Sequence, residues 1–294
     1  MNIQRAFMSE PNFIWYVLIT FLIKLVSKIS PRTIVTILKF RPARVIHPQF
    51  NEHPDFDYRL KENSKSKAKI ASMVTFQLLP SIYTNHNEQI LLDSGSVTYN
   101  IAFQMFTYRF GKILTNNHAI MMLYMTFARK VPHLCRCLGG ELIPDICANA
   151  GKETTAEAVR ELTGQNARKK RTRIAVLGLR AYSDEQGLAE DTPMLSDFQA
   201  AMIRHAQYLI IVAQGEKFLK PTHAPIFNSK EFRKIIAKRT AEKRVWFVYH
   251  PVVKFKSITS KAYYEYNLRS FIKLLPADQV FDASSVIPPQ NLII

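Results

Sequence analysis

Five short apolar runs, each closing on small or polar residues and separated from the next by a segment of helix length, constrain this chain more than any other feature. They lie near Gln89 to Asp93, Lys112 to Thr115, Leu134 to Leu138, Arg173 to Leu177 and Tyr208 to Ala213. Strands that alternate with helices in this way pair in parallel, so the expected fold class is α/β with a largely parallel sheet. Such sheets bind ligands beyond the carboxyl ends of their strands. No internal repeat or low-complexity tract interrupts the alternation.

The first run, ILLDSGSVTYNIA from Ile90 to Ala102, breaks at Ser-Gly-Ser and then resumes helically. Strand, tight turn and helix in that order present backbone amides to an anion, and the positive end of the helix adds attraction. Gly95 is expected to supply backbone freedom for the turn. Ser94, Ser96 and Thr98 can cap the helix and hold a phosphate, although a turn that merely caps its helix uses the same residues. Asp93 either orients the turn through backbone amides, bonds a sugar hydroxyl, or simply ends its strand. Asn116, Gly139 and Gly140 follow the next two runs and would shape the neighbouring wall. Lys217, after the last run, supplies a permanent cation or is a plain surface lysine. Asp184, Glu185, Glu190 and Asp191 fall on the loop after the fourth run, where they face sugar hydroxyls or solvent.

Taken together these pieces resemble the effector-sensing domain of DeoR-type transcriptional regulators. That family shows a D-S/A-G-S/T-T loop, a V-T-N strand end, an L-G-G-E segment followed by proline, a segment running from one glycine to a later G-L, and a final A-D-x-S-K-F. The matching residues are Asp93-Ser94-Gly95-Ser96-Val97-Thr98, Leu114-Thr115-Asn116, Leu138-Gly139-Gly140-Glu141 with Pro144, Gly178 through Gly187-Leu188, and Ala213 through Lys217-Phe218. Arg59, Asn63 and Lys67 resemble its E-R-x-x-x-N-x-x-x-K segment. The resemblance implies a fold similar to ribose-5-phosphate isomerase and glucosamine-6-phosphate deaminase, a phosphorylated sugar as effector, and Lys217 facing the ligand.

A formal charge of +17 points to a polyanionic partner such as DNA, RNA or an acidic membrane. Glu10 is the sole acid before Glu52, while seven lysines and arginines occupy that stretch. Leu22 to Phe40 looks like the second half of a helix-turn-helix, with Ser30 as N-cap and Pro31 as first helical residue. The family places an arginine pair there; Val35-Thr36-Ile37-Leu38 stands in its place and removes the fork that reads guanine. Ser30, Arg32, Thr33, Thr36 and Lys39 remain as DNA contacts, and Arg44 matches the family's wing. The apolar run from Phe13 to Ile23 is shorter than the ~20 residues that cross a bilayer, so a buried first helix is preferred to a surface-lying membrane helix. Further basic clusters occur at Arg59 to Lys69, at Arg168 to Arg173, expected to be a solvated loop, and between Lys230 and Lys261.

Three cysteines, an odd number without zinc-site spacing, read as reduced structural thiols. The eight histidines form no metal pattern, and neither a metal nor a cofactor is expected. The tail departs from the family after Phe218: a basic helix from Lys230 leads to the apolar strand VWFVYHPVV, then to an aromatic helix with Tyr263, Tyr266, Phe271 and Leu274 partly on one side. The expected organisation is a winged-helix-like domain over 1–50, a linker over 51–65 and an α/β sensor domain over 66–294. The leading reading is a cytoplasmic, homo-oligomeric DNA-binding regulator without catalytic residues, controlled by a sugar phosphate. A sugar-phosphate isomerase or deaminase is the alternative, and a membrane- or protein-associated sensor the third.

Overall fold

The computed structural model describes residues 54–82, 88–108, 111–127, 135–164, 172–190, 192–219, 225–251 and 254–288. The chain divides into two compact units, Met1–Arg44 and Val45–Ile294, and every described residue belongs to the second. It begins with helices α1 (Pro54–Lys61) and α2 (Ser64–Met73), the latter running on through a π-helical turn, Val74–Leu78, to a last α-helical turn, Leu79–Ile82. Strand β1 (Gln89–Leu92), α3 (Ser96–Thr107), β2 (Lys112–Thr115), α4 (His118–Phe127) and β3 (Cys135–Cys137) then alternate. A small hairpin of β4 (Glu141–Ile143) and β5 (Ala148–Ala150) precedes α5 (Lys152–Thr163) and β6 (Ile174–Gly178). A second hairpin, β7 (Ala181–Ser183) and β8 (Gly187–Ala189), precedes α6 (Pro193–His205) and β9 (Tyr208–Gln214). The strand β10 (Pro225–Phe227) pairs with β8, and α7 (Ser229–Ala241), β11 (Val245–His250), α8 (Ile258–Ile272) and β12 (Val280–Asp282) complete the domain.

Seven strands form one sheet in the order β12-β11-β9-β6-β1-β2-β3, with every neighbouring pair parallel. The five apolar runs are its β1, β2, β3, β6 and β9, and the strand expected after the basic helix is β11. Successive side chains on a strand point to opposite faces. Ile90, Leu92, Ile174, Val176, Ile210 and Val212 therefore enter one apolar cluster, covered by α1 to α4. Leu91, Ala175, Leu177, Leu209 and Ile211 enter the other, with side chains of α5 to α8. Phe271 of α8 is central to the second: its ring lies 4.8 Å from that of Tyr182, 5.6 Å from Phe218 and 4.6 Å from Phe247. Truncating such a ring to alanine typically costs about 3–5 kcal/mol.

Three expectations are corrected here. The stretch expected as a linker holds α1, because Phe56 and Leu60, one turn apart, are buried at 0% and 3% exposure. Proline and mixed charge suggested a loop, but proline suits a first helical turn. On α8 the buried side carries Tyr264, Asn267, Leu268 and Phe271, whereas Tyr263 and Tyr266 are exposed. Arg173, at the end of the basic run expected to be solvated, pairs with Glu88 at 2.9 Å and lies over the Tyr208 ring. Among the described residues no helix is long and apolar enough to cross a membrane; the apolar run from Phe13 to Ile23 lies outside them.

Candidate functional site

From β1 the chain winds outward through β2 to β3, and from β6 it winds the other way through β9 and β11 to β12. The order reverses between β1 and β6, and sheets of this kind bind ligands beyond the carboxyl ends of the strands at such a reversal. Asp93 leaves β1 at this point with 2% exposure. Its Oδ1 accepts the Gly95 N–H at 3.2 Å, and its Oδ2 accepts the Gly178 N–H at 2.9 Å across the reversal. Burial pushes the Asp93 carboxyl up to about 7, against the pull of those two amides.

Gly95 corrects a further expectation. Its φ of −95° and ψ of 155° are ordinary extended values that any residue adopts. What the position needs is space, since an added Cβ would stand 3.2 Å from Thr98 Oγ1 and 3.3 Å from Asp93 Oδ1. Thr98 is fully buried; its hydroxyl accepts the Gly95 N–H at 2.9 Å and has the Asp93 and Gly95 carbonyls at 2.8 and 2.7 Å for its single proton. Thr98 thus braces the turn from inside, while Ser94 and Ser96 bracket it. Helix α3 starts at Ser96, and the first amides of any helix have no partner within it.

The exit from β9 is built differently. A short 3-10 turn, Gly215–Phe218, carries half-buried Lys217. Gln214 donates from Nε2 to the Asn63 carbonyl at 3.4 Å, and Asn63 donates from Nδ2 to Glu216 Oε1 at 3.1 Å. Asn63 adopts a left-handed conformation, φ 51°, at the joint between α1 and α2. Lys67, 2% exposed on the inner side of α2, donates to the carbonyls of Arg59 and Glu62. Burial pushes its amine down to about 8, opposed by the charges of Glu62 and Glu216. In the sequence, Asn63 and Lys67 stand out only through their match to the family's E-R-x-x-x-N-x-x-x-K segment. The spacing of Lys67, Ile70, Ala71 and Val74 marks one helical face and was the available signal that this lysine is inside.

The other expected wall residues bind their own surroundings. Asn116 donates from Nδ2 to the Asn149 carbonyl at 2.8 Å, tying the β2 exit to β5, and its buried Oδ1 accepts no hydrogen bond among the described residues. Gly139 donates its N–H to Glu157 at 2.9 Å and accepts from the Thr154 hydroxyl at 2.6 Å. Gly140 has φ +126°, and a Cβ there would meet Thr154 Oγ1 at 2.0 Å. Both glycines hold α5, beside a shallow cleft of about 450 Å³ that Gly139 lines with Lys152, Glu157 and Arg160, away from the β1–β6 reversal. Asp184 is tied to the tail: Arg233 and Ser270 bond its carboxylate, and Tyr266 donates to it at 2.9 Å. Burial raises that carboxyl, but the hydroxyls and the arginine outweigh it and leave its pKa below the usual range. Glu190 accepts from Gln199 at 2.8 Å. Glu185 is exposed, and Asp191 and the expected DNA contacts Ser30, Arg32, Thr33, Thr36, Lys39 and Arg44 lie outside the described residues.

Cys135, Cys137 and Cys147 are free thiols, and burial pushes Cys137 up to about 11. Among the described residues no group of three or more His, Cys, Asp or Glu is arranged to hold a metal ion.

A parallel sheet with a serine-flanked turn at its reversal, opposite a lysine-bearing turn, is the frame of a ligand-sensing α/β domain. The chain matches the DeoR C-terminal sensor domain over residues 62–239, more than half its length, and belongs to that family of regulators. No curated protein matches the chain.

Proposed function

We propose that this protein is a DNA-binding transcriptional regulator of the DeoR type, controlled by a phosphorylated sugar bound across the carboxyl ends of β1, β6 and β9. The observation that carries the reading is Asp93, whose carboxylate joins the turn after β1 to Gly178 at the end of β6. That bridge fixes the start of α3, so its first amides and the Ser94 and Ser96 hydroxyls converge on one anion without reorganisation on binding. Lys217 leaves a strand two positions away in the sheet, about 10 Å at ordinary strand spacing, which suits a sugar phosphate lying across β6. Asn116, Gly139 and Gly140 support the neighbouring exits and take no part in the phosphate bond. Residues 1–50 meet DNA through Ser30, Arg32, Thr33, Thr36, Lys39 and Arg44, in a cytoplasmic homo-oligomer that needs no cofactor. The effector changes operator affinity by binding one arrangement of the protein better than another.

The test is thermal unfolding with a panel of sugar phosphates, followed by anisotropy of upstream and scrambled duplexes. A phosphate-bearing sugar raises the melting temperature; Ser96→Ala and Lys217→Ala remove the rise. A panel without any shift defeats the sensing claim, and equal binding to both duplexes defeats the regulatory one. One observation favours the enzyme reading, the Asp93 carboxyl near 7, where a general base is most useful. Against it, both carboxylate oxygens already accept backbone N–H groups. Turnover of a ribose, fructose or glucosamine phosphate reverses the order.

A further inference from the structure

The charge of the chain is concentrated where the regulator reading does not use it. Between Asn228 and Leu275 stand twelve lysines and arginines against three glutamates, a net +9 out of +17. Helices α7 and α8 carry most of these and lie side by side: Arg233 reaches Ser270 Oγ at 3.3 Å, and the Phe232 and Phe271 rings are 5.8 Å apart. The fold employs the arginines. Arg233 pairs with Asp184, and Arg239, 9% exposed, donates to the Ala206 carbonyl at 2.7 Å. Lys230, Lys234 and Lys238 are different, being exposed and, among the described residues, without an ion pair. Their spacing of four residues aligns them along one side of α7 in steps of about 6 Å.

We propose that this lysine stripe is a second contact with duplex DNA, made by the sensor domain to the phosphate backbone of one strand. Three cations over about 12 Å match a polyanion that carries a charge every 1.7 Å of its axis. An interfacial membrane helix needs an apolar face to insert. Helix α7 has none to offer, because Phe232 and Ile236 are fully buried and no large hydrophobic residue on it is exposed. The choice of DNA among rigid polyanions rests on the regulator reading above; the stripe does not. Phosphate contacts carry no base information, so the stripe strengthens binding to any sequence and leaves sequence preference to the N-terminal residues.

The experiment compares the full-length protein with Lys230→Gln/Lys234→Gln/Lys238→Gln and with a charge-matched control, Lys65→Gln/Lys152→Gln/Arg160→Gln, whose positions are also exposed. Anisotropy is read on upstream and scrambled 40-base-pair duplexes over a salt series, with melting curves for each protein. The α7 variant is expected to lose at least about tenfold in affinity for both duplexes near 0.1 M salt, and its slope of log affinity against log salt falls by about 2 to 3. The preference between duplexes and the melting temperature stay as in the wild type, and the control loses under about threefold. An unchanged slope overturns the proposal, as does an equal loss in both variants, which signals diffuse charge. So does wild-type indifference to duplex DNA, or an effect confined to sedimentation with phosphatidylserine vesicles. A missing preference between duplexes, with the α7 loss intact, sinks the regulator reading while leaving the stripe standing.

Discussion

The exits from β1 and β9 flank the same strand, β6, and are held in opposite ways. At β1 every anchor is internal and buried: Asp93 takes two backbone N–H groups, and Thr98 braces the turn from below. At β9 the anchors reach outward to the joint between α1 and α2, through Asn63, Gln214 and Glu216. A site that recognises an anion gains from a turn fixed in advance. A site that reports occupancy needs a part whose position other segments share. Under the function proposed above, the first exit serves recognition and the second transmission, and each role can be broken separately.

The largest effect is expected at Asp93. Asp93→Ala leaves the Gly178 N–H without its acceptor and the Gly95 N–H with Thr98 alone, and is expected to cost about 3 kcal/mol in urea unfolding. Asp93→Asn keeps an acceptor and separates charge from geometry through pH. In the folded protein the carboxyl keeps its proton up to about 7, whereas the unfolded chain loses it near 3.8. Stability from this proton is complete below the lower value, declines as pH rises between the two, and is gone above the upper one. The deficit of Asp93→Asn relative to wild type is therefore largest near pH 4 and shrinks toward pH 7. A deficit that does not vary with pH removes the buried-acid account of this turn.

Glycine substitutions come next and distinguish space from backbone conformation. Gly140→Ala forces a positive φ on an alanine and drives its Cβ into Thr154, which is expected to cost about 2–3 kcal/mol. Gly95→Ala keeps an accessible φ and meets only close neighbours, so about 1 kcal/mol is expected, together with a weaker sugar-phosphate shift as Thr98 and Asp93 give way. If Gly95→Ala is the more damaging in unfolding, the turn after β1 depends on glycine for a reason other than crowding.

Much of this was legible in the residues. Parallel strands buried on both faces read as short unbroken apolar runs, so β1, β2, β6 and β9 stand within a residue or so of where the pattern put them. The serine-rich turn was visible because capping chemistry is local. Partners fixed by tertiary contact were not: nothing near Asp93 in sequence names Gly178, 85 positions away, as the group that its carboxylate holds. The three-residue strands β7 and β8 are too short to show alternation, which left Asp184 looking like a loop acid open to a ligand. Helical spacing groups Tyr263 and Tyr266 with Phe271 on one side of α8, yet only Phe271 packs inward, and Tyr266 reaches Asp184 through its hydroxyl with its ring exposed.

The smallest effect on stability, and the most telling about transmission, belongs to the β9 joint. Asn63 is exposed and its side-chain bond to Glu216 is a single surface contact, so Asn63→Gly, which keeps the left-handed φ of 51° accessible, and Glu216→Ala are each expected to cost under about 1 kcal/mol. Neither residue touches the turn after β1, so the sugar-phosphate melting shift survives in both variants. The change in DNA affinity on adding the sugar falls instead, because the turn bearing Lys217 no longer moves with the α1–α2 joint. If the two residues act as one link, the double variant loses no more of that response than either single one. Full DNA response in both variants excludes the joint from transmission and leaves the β1 and β9 exits as two halves of one binding site.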